Sequence, residues 1–410
     1  MSGRDHQVSA TITEFPGGEK SFVEVPFRAG PNTERIEVSY LFPAGSGGSV
    51  IDLGMAHEGR MRGWSGSERA HITIEADRAT PSYDAGPLAG NWTVVLGIVT
   101  IGPNCRVDVT IRVVEKQARW LAGDIHSHTE HSDGGVTVLD AIYRARASRL
   151  DFVALTDHNT ISQNFVRPDD PGILVMPGME LTSYYGHTNF LGVHKPVADW
   201  RCTSPGDVAD KMAEARANGA TIVINHPFQR SAGGKWQSGY DLAFDAMEIW
   251  NGNWSPLNAD ALGFWQERLV AGHVAPVTGG SDFHLKNRRR HGRPSNRVYA
   301  EGNSIADILA AVRAGRSVVC FSPEDTMARP VDDGPMFGDT IPAGSAIEVE
   351  FTSLLAGDEI RVVDETGTSQ VVPIDGDRFT WGGRLDGRFK RFEVWHGDEP
   401  RLFTNPFYAG

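Results

Sequence analysis

Cysteine is scarce in this chain. The three present, Cys105, Cys202 and Cys320, lie far apart with no CxxC pair, which argues against a disulfide framework and against a thiolate metal site. A reducing, cytoplasmic setting is the expectation. Long apolar runs are missing too: nowhere do about 18 apolar residues follow one another, and the opening MSGRDHQVSATITEF lacks the apolar stretch of a secretory signal. Neither a membrane span nor export is expected. Positive charge is in deficit, with 39 Lys and Arg against 52 Asp and Glu and a formal net charge of −13. Such a surface repels a nucleic-acid backbone and supplies no non-specific affinity for it. An anionic substrate must therefore be gripped by local charge. Also absent are a GxSxG elbow and a glycine-rich phosphate loop, so no serine nucleophile or P-loop chemistry is indicated.

What is present reads as a folded protein of more than one unit. The 410 residues exceed the roughly 250 to 300 that one core usually serves. Residues 1–117 carry alternating runs such as HITIEA, WTVVLGIV and RVDVTIRVV between turn-forming residues, the pattern of an antiparallel β-sandwich. Over residues 118–325 the pattern becomes strand, helix, strand. FVALTD, ILVMPG, HTNFLGV, TIVINH, DAMEIW and VAPVTGG have the look of buried strands, while TVLDAIYRARASRL, SPGDVADKMAEARANGA, LNADALGFWQERLVAG and SIADILAAVRAGR have helical periodicity. Thr137 with Asp140, and Ser304 with Asp307, have the spacing of a capping box, and Gly219 and Gly315 sit where helices should stop. This alternation predicts an α/β fold with a parallel sheet, best satisfied by a barrel. Residues 326–410 return to β-type runs, AIEVEFTS, EIRVVD and FEVWHG, and predict a small β-rich C-terminal unit.

Histidines and acids cluster on that framework. The stretch DIHSHTEHSDGG, residues 124–135, holds three histidines and two aspartates. His126 and His128 are two apart, so on an extended segment they face one side, and the same holds for Asp282 and His284 in GGSDFH. His158, Glu180 and His226 each follow an apolar run, which puts them just past strand ends, where β/α barrels build active sites. Imidazoles bind zinc, iron or manganese, and a carboxylate can bridge two cations. Asp124 and Asp157 adjoin these residues and have two readings, orienting an imidazole or serving a turn. His131 reads as solvated or substrate-facing.

In this order DIHSHTEHSDGG, ALTDHN, PGME, GHTNFLG, INHP, EIWNG and GGSDFH resemble the successive motifs of the PHP (polymerase and histidinol phosphatase) family over roughly residues 120–325. The β-rich leading part, the GHTNFLG and EIWN segments and the trailing β unit resemble the branch that includes the carbaryl hydrolases. The resemblance implies a distorted (β/α)7 barrel with two or three divalent ions, zinc, manganese or iron, at the strand ends. It implies that His126, His128, Glu180 and Asp282 hold one ion, that Glu180, His187 and His226 hold a second, and that Asp133, His158 and His284 hold a third. Some relatives have a histidine where this chain has Asp133 or Gly134. His187 also has a plain reading, a strand-start histidine bonded to backbone.

Asp133, Glu180 and Asp282 supply −3 against +4 or +6 for two or three divalent cations, so such a pocket favours anions. A bound water would have its pKa lowered from 15.7 toward about 7, giving hydroxide at neutral pH. Hydrolysis is the reaction class, with His158 or His284, if not bound to metal, or Asp133 through a water, as the group that returns a proton to the leaving group. The basic loop KNRRRHGRPSNR, residues 286–297, either grips a phosphate or carboxylate, with Arg288 the first candidate, or is simply solvated. Asn251 and Arg316, at strand borders, are further candidates for substrate contact, set against structural roles. Three readings remain: a phosphoesterase acting on a small anionic phosphomonoester or phosphodiester; a carbamate, ester or amide hydrolase, for which Trp250, Trp254, Tyr184 and Tyr185 would line an apolar pocket or else belong to the core; and an inactive binding module. The sequence does not speak to oligomeric state.

Overall fold

The computed structural model describes residues 6–41, 47–168, 171–231, 233–287, 289–331 and 334–410. The chain forms two compact units, residues 1–118 with 301–304, and residues 119–300 with 305–410. Among the described residues no helix is long and apolar enough to cross a membrane.

The first unit is built from two four-stranded sheets. In one, β1 (His6–Ile12), β8 (Val107–Glu115), β3 (Thr33–Leu41) and β6 (His71–Glu75) pair in that order; in the other, β2 (Ser21–Ala29), β7 (Gly90–Thr100), β4 (Val50–His57) and β5 (Arg60–Trp64) do so. All pairings are antiparallel. Alternation does the work here: Ile36 and Val38, Ile72 and Ile74, Ile51 and Leu53, and Val94 and Leu96 point inward from both sheets into one core.

The second unit carries the histidines. Its mixed sheet runs β15 (Val277–Gly280), β14 (Ala246–Asn251), β13 (Thr221–Ile224), β12 (Gly186–Leu191), β11 (Leu174–Ser183), β10 (Phe152–Leu155), β9 (Arg119–Asp124), β16 (Ser295–Ala300) and β17 (Ser317–Cys320). Strands β13, β14 and β15 are parallel to one another, as are β9, β10 and the first half of β11. The expected all-parallel order fails at β12 and at β16, which run antiparallel to both neighbours. The reason at β12 is length. Only Tyr184 and Tyr185 separate it from β11, enough for a hairpin and far short of the dozen residues a parallel crossover needs.

Four helices cover the sheet. In α1 (Val138–Ala147), Val138, Ala141, Ile142 and Ala145 make one apolar stripe against Val153 and Leu155. Thr137 caps it, its Oγ1 accepting from the Asp140 N–H at 3.1 Å. In α2 (Pro205–Ala217) a capping box joins Ser204 and Asp207, and Met212 and Ala215 share a core with Trp265 and Leu269 of α3 (Pro256–Val270). In α4 (Ile305–Arg313), Ile308, Leu309 and Val312 face the sheet. Gly219 and Gly315 take φ of 91° and 69° just beyond α2 and α4, the left-handed stop that suits glycine.

The edge strand β15 is not left open. The side-chain amide of Asn296 on β16 bonds both backbone groups of Gly279, at 2.6 and 2.9 Å, and that of Asn405 bonds both backbone groups of Val277, at 2.8 and 3.2 Å. Beyond β17 the same sheet continues through Glu399–Thr404, Phe389–His396, Asp358–Asp364 and Gly367–Pro373, while Met327–Pro330, Ala346–Thr352 and Arg378–Arg384 form a separate three-stranded sheet.

Candidate metal centre

The segment after β9 and the segment after β15 lie side by side. The His128 N–H donates to the Phe283 carbonyl at 3.2 Å and the Asp282 N–H to the His126 carbonyl at 2.9 Å. This pairing turns His126, His128, Asp282 and His284 toward one point. The second pair does not get there by regular extension: Asp282 has φ of 47°, and His226, after β13, has φ of 24°. Both are left-handed conformations in residues with a Cβ, strain of about 1 to 3 kcal/mol each that persists because the surroundings over-determine it. Glu180 also differs from expectation. It lies within β11, opposite Asn189 of β12, because the strand passes directly from its parallel pairing into the hairpin.

Glu180 is the hub. Its Oε1 lies 3.3 Å from His126 Nε2, 3.3 Å from His187 Nδ1 and 3.5 Å from His226 Nε2. Its Oε2 lies 2.7 Å from His158 Nδ1 and 3.7 Å from His128 Nε2. Asp282 is a second hub, with Oδ1 at 3.2 Å from His128 Nε2, 3.6 Å from His126 Nε2 and 3.3 Å from His284 Nδ1. Toward the surface, Asp133 Oδ1 sits 2.9 Å from His284 Nε2 and 3.3 Å from His158 Nε2. Three groups of donors lie close enough to share a cation: His126, His128 and Asp282; His126, Glu180 and His226; and His128, Asp133, His158 and His284. His187 stands beside Glu180 but outside those three groups.

The electrostatics of this cluster follow from burial opposed by pairing. Burial disfavours the charged form of His126, yet Glu248, Glu180 and Asp282 outweigh it and raise the pKa well above the usual imidazole value. His128 goes the other way, because burial dominates and lowers it. Burial also resists ionisation of Glu180 and Asp282, but the surrounding imidazoles hold both well below the carboxylate range, with Arg289 helping at Asp282. At His284 burial is overcome by Asp282 and Asp133, and the pKa is pushed up to about 9.

Do these residues suit a cation? His126 Nε2, His128 Nε2 and His187 Nδ1 are buried with no hydrogen-bond partner, each beside a carboxylate oxygen. Buried polar atoms are normally satisfied, and a divalent cation satisfies such nitrogens and both carboxylates at once. The outer contacts agree. Glu248, missed in the sequence, touches His126 Nδ1 at 2.8 Å and accepts from the His226 N–H at 3.0 Å, fixing the ring so that Nε2 faces the cluster. Asn225 donates to Glu180 Oε1 at 2.7 Å. A side chain at Gly280 would meet Glu248 and the His126 Cβ at 2.2 and 2.5 Å, so the close approach of β14, β15 and His126 depends on that glycine.

The other expected residues fall into place unevenly. A Cβ at Gly134 would lie 2.2 Å from the His128 backbone, so of the two positions where relatives carry histidine, only Asp133 has room to reach the centre. Asp124 and Asp157 are buried organisers of backbone. Asp124 accepts from the N–H groups of His126, Ser281 and Gly292, and Asp157 from the N–H and hydroxyl of Thr129 and the hydroxyl of Ser132. His131 bonds Ser162 at 2.7 Å, outside the cluster. Arg288 lies outside the described residues. The neighbouring Arg289 reaches the centre instead, its Nη1 donating to Asp282 Oδ2 at 2.7 Å and to Asn251 Oδ1 at 2.9 Å. Arg316 is not brought there, since its guanidinium lies 3.7 Å from Asp339. Trp250 and Trp254 pack with Phe403 in the core and Tyr184 is exposed, so these aromatics do not line the site.

Beside the cluster opens a cavity of about 190 Å³ whose wall includes His226, Glu248, Asn251 and Arg289 with Phe228 and Leu257. Metal-binding donors, a basic group and a small cavity are thus contiguous.

No family model matches the chain, and no curated protein matches it. Among solved structures, a two-domain protein from Bacteroides vulgatus containing a predicted PHP-like metal-dependent phosphoesterase is similar at 17% identity, with a TM-score of 0.41, over 71% of this chain and 96% of that one. An amidohydrolase from Chromobacterium violaceum with bound sulfate and no metal is similar at 19% identity, with a TM-score of 0.27, over 40% of this chain and 87% of that one.

Proposed function

We propose that this chain is a metal-dependent hydrolase and that its reaction is hydrolysis of a small anionic phosphoester. The observation that carries the reading is the convergence on Glu180 and Asp282 of buried imidazoles whose inward nitrogens have no other partner. Within it, His126, His128, Glu180 and Asp282 would hold one cation, Glu180, His187 and His226 a second, and Asp133, His158 and His284 a third; the donor groups support this except for His187, which stands beside Glu180 but outside them, and for Glu180 in the first set. We read the second unit's sheet as a distorted (β/α)7 barrel, supported by the amide bridges that join β15 to Asn296 and Asn405. The two sheets that share a core read as a sandwich, and residues 326–410 as an appended β unit.

Divalent cations held at this centre supply Lewis acidity and a water acidic enough to attack at neutral pH. The protein's own groups do the rest. Adding Glu248 and Arg289 to the acids Asp133, Glu180 and Asp282 leaves the formal sum at −3, so two or three cations make the pocket net positive and favour an anion. Arg289 steadies Asp282 through Oδ2, leaving Oδ1 to the imidazoles. Asp133, with a side chain 61% exposed beside His158 and His284, is placed to pass a proton between solvent and the leaving group. Phosphoester is preferred to carbamate because the cavity is edged by an arginine and none of the candidate aromatics lines it.

The test is metal analysis of the purified protein followed by a panel of chromogenic phosphomonoesters, phosphodiesters, carbamates and esters. Phosphoester turnover that disappears in Asp282→Ala and in His226→Ala is expected. Turnover confined to carbamates and esters would replace the reading with the second one, and metal-free protein with no turnover of any substrate would remove it.

A further inference from the structure

The cavity beside the centre has features that bear on the part of the substrate that is not attacked. Its wall brings together Arg289, the first turn of α3 at Ser255 and Leu257, and the exposed Asn253, with His226 and Glu248 on the side of the metal centre. All hydrogen bonds of Arg289 to the described residues leave from Nη1, to Asp282, Asn251 and the Ser281 carbonyl. The side chain remains 21% exposed, so Nε and Nη2 are available to a ligand. The 15-residue helix α3 starts at this wall; Pro256 has no N–H and those of Asn258 and Ala259 are bonded to the Ser255 carbonyl, so what the helix start adds is its dipole, which favours negative charge. His226 adds a side chain only 9% exposed whose Nδ1 has no partner. The one acid in the wall, Glu248, is already engaged by His126, the His226 N–H and Asn251. The volume of about 190 Å³ is near the roughly 150 Å³ that accommodates a benzene-sized guest, which leaves room for only a few heavy atoms.

We propose that this cavity recognises a second anionic group, a carboxylate or a phosphate, carried on a short leaving group, with Arg289 as its specificity-determining residue. The substrate is then a compact phosphoester with negative charge at both ends. The inference rests on the phosphoesterase reading and names its substrate class.

Binding to the metal-loaded protein separates the two. Phosphonoacetate, which carries a carboxylate, and 2-hydroxyethylphosphonate, of similar size without one, are titrated calorimetrically into the native protein, into Asn253→Asp and into Arg289→Met, with metal content measured in each. Native protein is expected to prefer phosphonoacetate at least about tenfold, the contribution of one charge-assisted hydrogen bond. Asn253→Asp places a negative charge in the wall without touching a metal donor, and is expected to erase most of the preference while leaving 2-hydroxyethylphosphonate binding within about twofold. Arg289→Met is expected to erase the preference as well, but because Arg289 also steadies Asp282 its metal content and 2-hydroxyethylphosphonate affinity are free to fall, and Asn253→Asp decides. Equal affinity for the two phosphonates in native protein, or a preference that survives in Asn253→Asp, overturns the second-anion subsite and leaves the phosphoesterase reading standing. No binding of either phosphonate overturns both.

Discussion

The donors of the centre divide into a sealed set and a rim set. The side chains of His126, His128 and Glu180 are 0%, 0% and 1% exposed, whereas those of Asp133 and His158 are 61% and 24% exposed. The sealed donors are buried with inward nitrogens that bond no other described residue, a setting that suits a bound cation. The rim donors can exchange protons with solvent while still touching the cluster. The same residue types therefore serve two purposes, holding and proton transfer, and depth decides between them. The largest effect should come from the sealed hub. Glu180→Ala is expected to remove cations from two of the three donor groups it adjoins and to cut turnover at least about a thousandfold, as when several kcal/mol of Lewis-acid stabilisation are lost. Elemental analysis and steady-state kinetics read it out, and a variant with full metal content and activity would break the division.

The rim makes the contrasting case. Asp133→Asn keeps the shape of the side chain and removes its charge. It is expected to retain the cations of the sealed groups while lowering kcat by about 10² to 10⁴, the usual range for a lost acid or base. The matching sign is loss of one limb of the pH–rate profile. If the cations of the sealed groups are lost as they are in Glu180→Ala, Asp133 supports the sealed donors and the rim is not distinct.

Depth also explains how far the sequence could be read. The pairs His126 with His128 and Asp282 with His284, and the solitary His158 and His226, were legible because histidines after apolar runs have few structural uses. Their convergence on shared cations was implied by the family resemblance and not by local pattern, because it depends on the left-handed backbone at His226 and Asp282. Glu180 was found but misplaced, since nothing in ILVMPGMELTS marks the point where the strand changes from a parallel to an antiparallel partner. Glu248 left a signal that went unused. A carboxylate between Met247 and Ile249 on a strand buried on both faces needs a buried partner, and that partner is His126. Arg289 had no comparable signal: within a run of three arginines, residue type does not mark the one whose guanidinium bonds Asp282.

Glu248 gives an intermediate test, since it lies deep but touches the cluster only through His126 and the His226 backbone. Glu248→Gln preserves size and can still bond the His226 N–H, yet removes the charge that orients His126. Metal affinity is expected to fall about 10- to 100-fold, with the metal stoichiometry at saturation unchanged, which distinguishes an orienting residue from a ligand. Competition with a chelating dye measures it. A loss of stoichiometry would move Glu248 into the coordinating set.

The smallest effect, and the one that compares depth with rim in a single titration, is proton release on metal loading. In the metal-free protein His126, His158 and His284 all lie above the ordinary imidazole value, because burial is outweighed by Glu248, Glu180, Asp133 and Asp282, and His284 reaches about 9. His128 is depressed by burial and is already neutral. A ligand imidazole must be deprotonated, so near pH 7 each raised histidine that takes a cation gives up a proton while His128 gives up none. Proton release, followed with an indicator dye in weak buffer, is expected near pH 7 from His126 and His284, with a contribution from His158, and should decline as pH rises through about 9, where His284 is neutral beforehand. The sign for affinity follows directly: apparent metal affinity climbs with pH over that range. Release that stays near zero at pH 7 while metal binds would mean that the sealed imidazoles are neutral before the cation arrives, and that the carboxylates around them do not hold a protonated histidine in the metal-free protein.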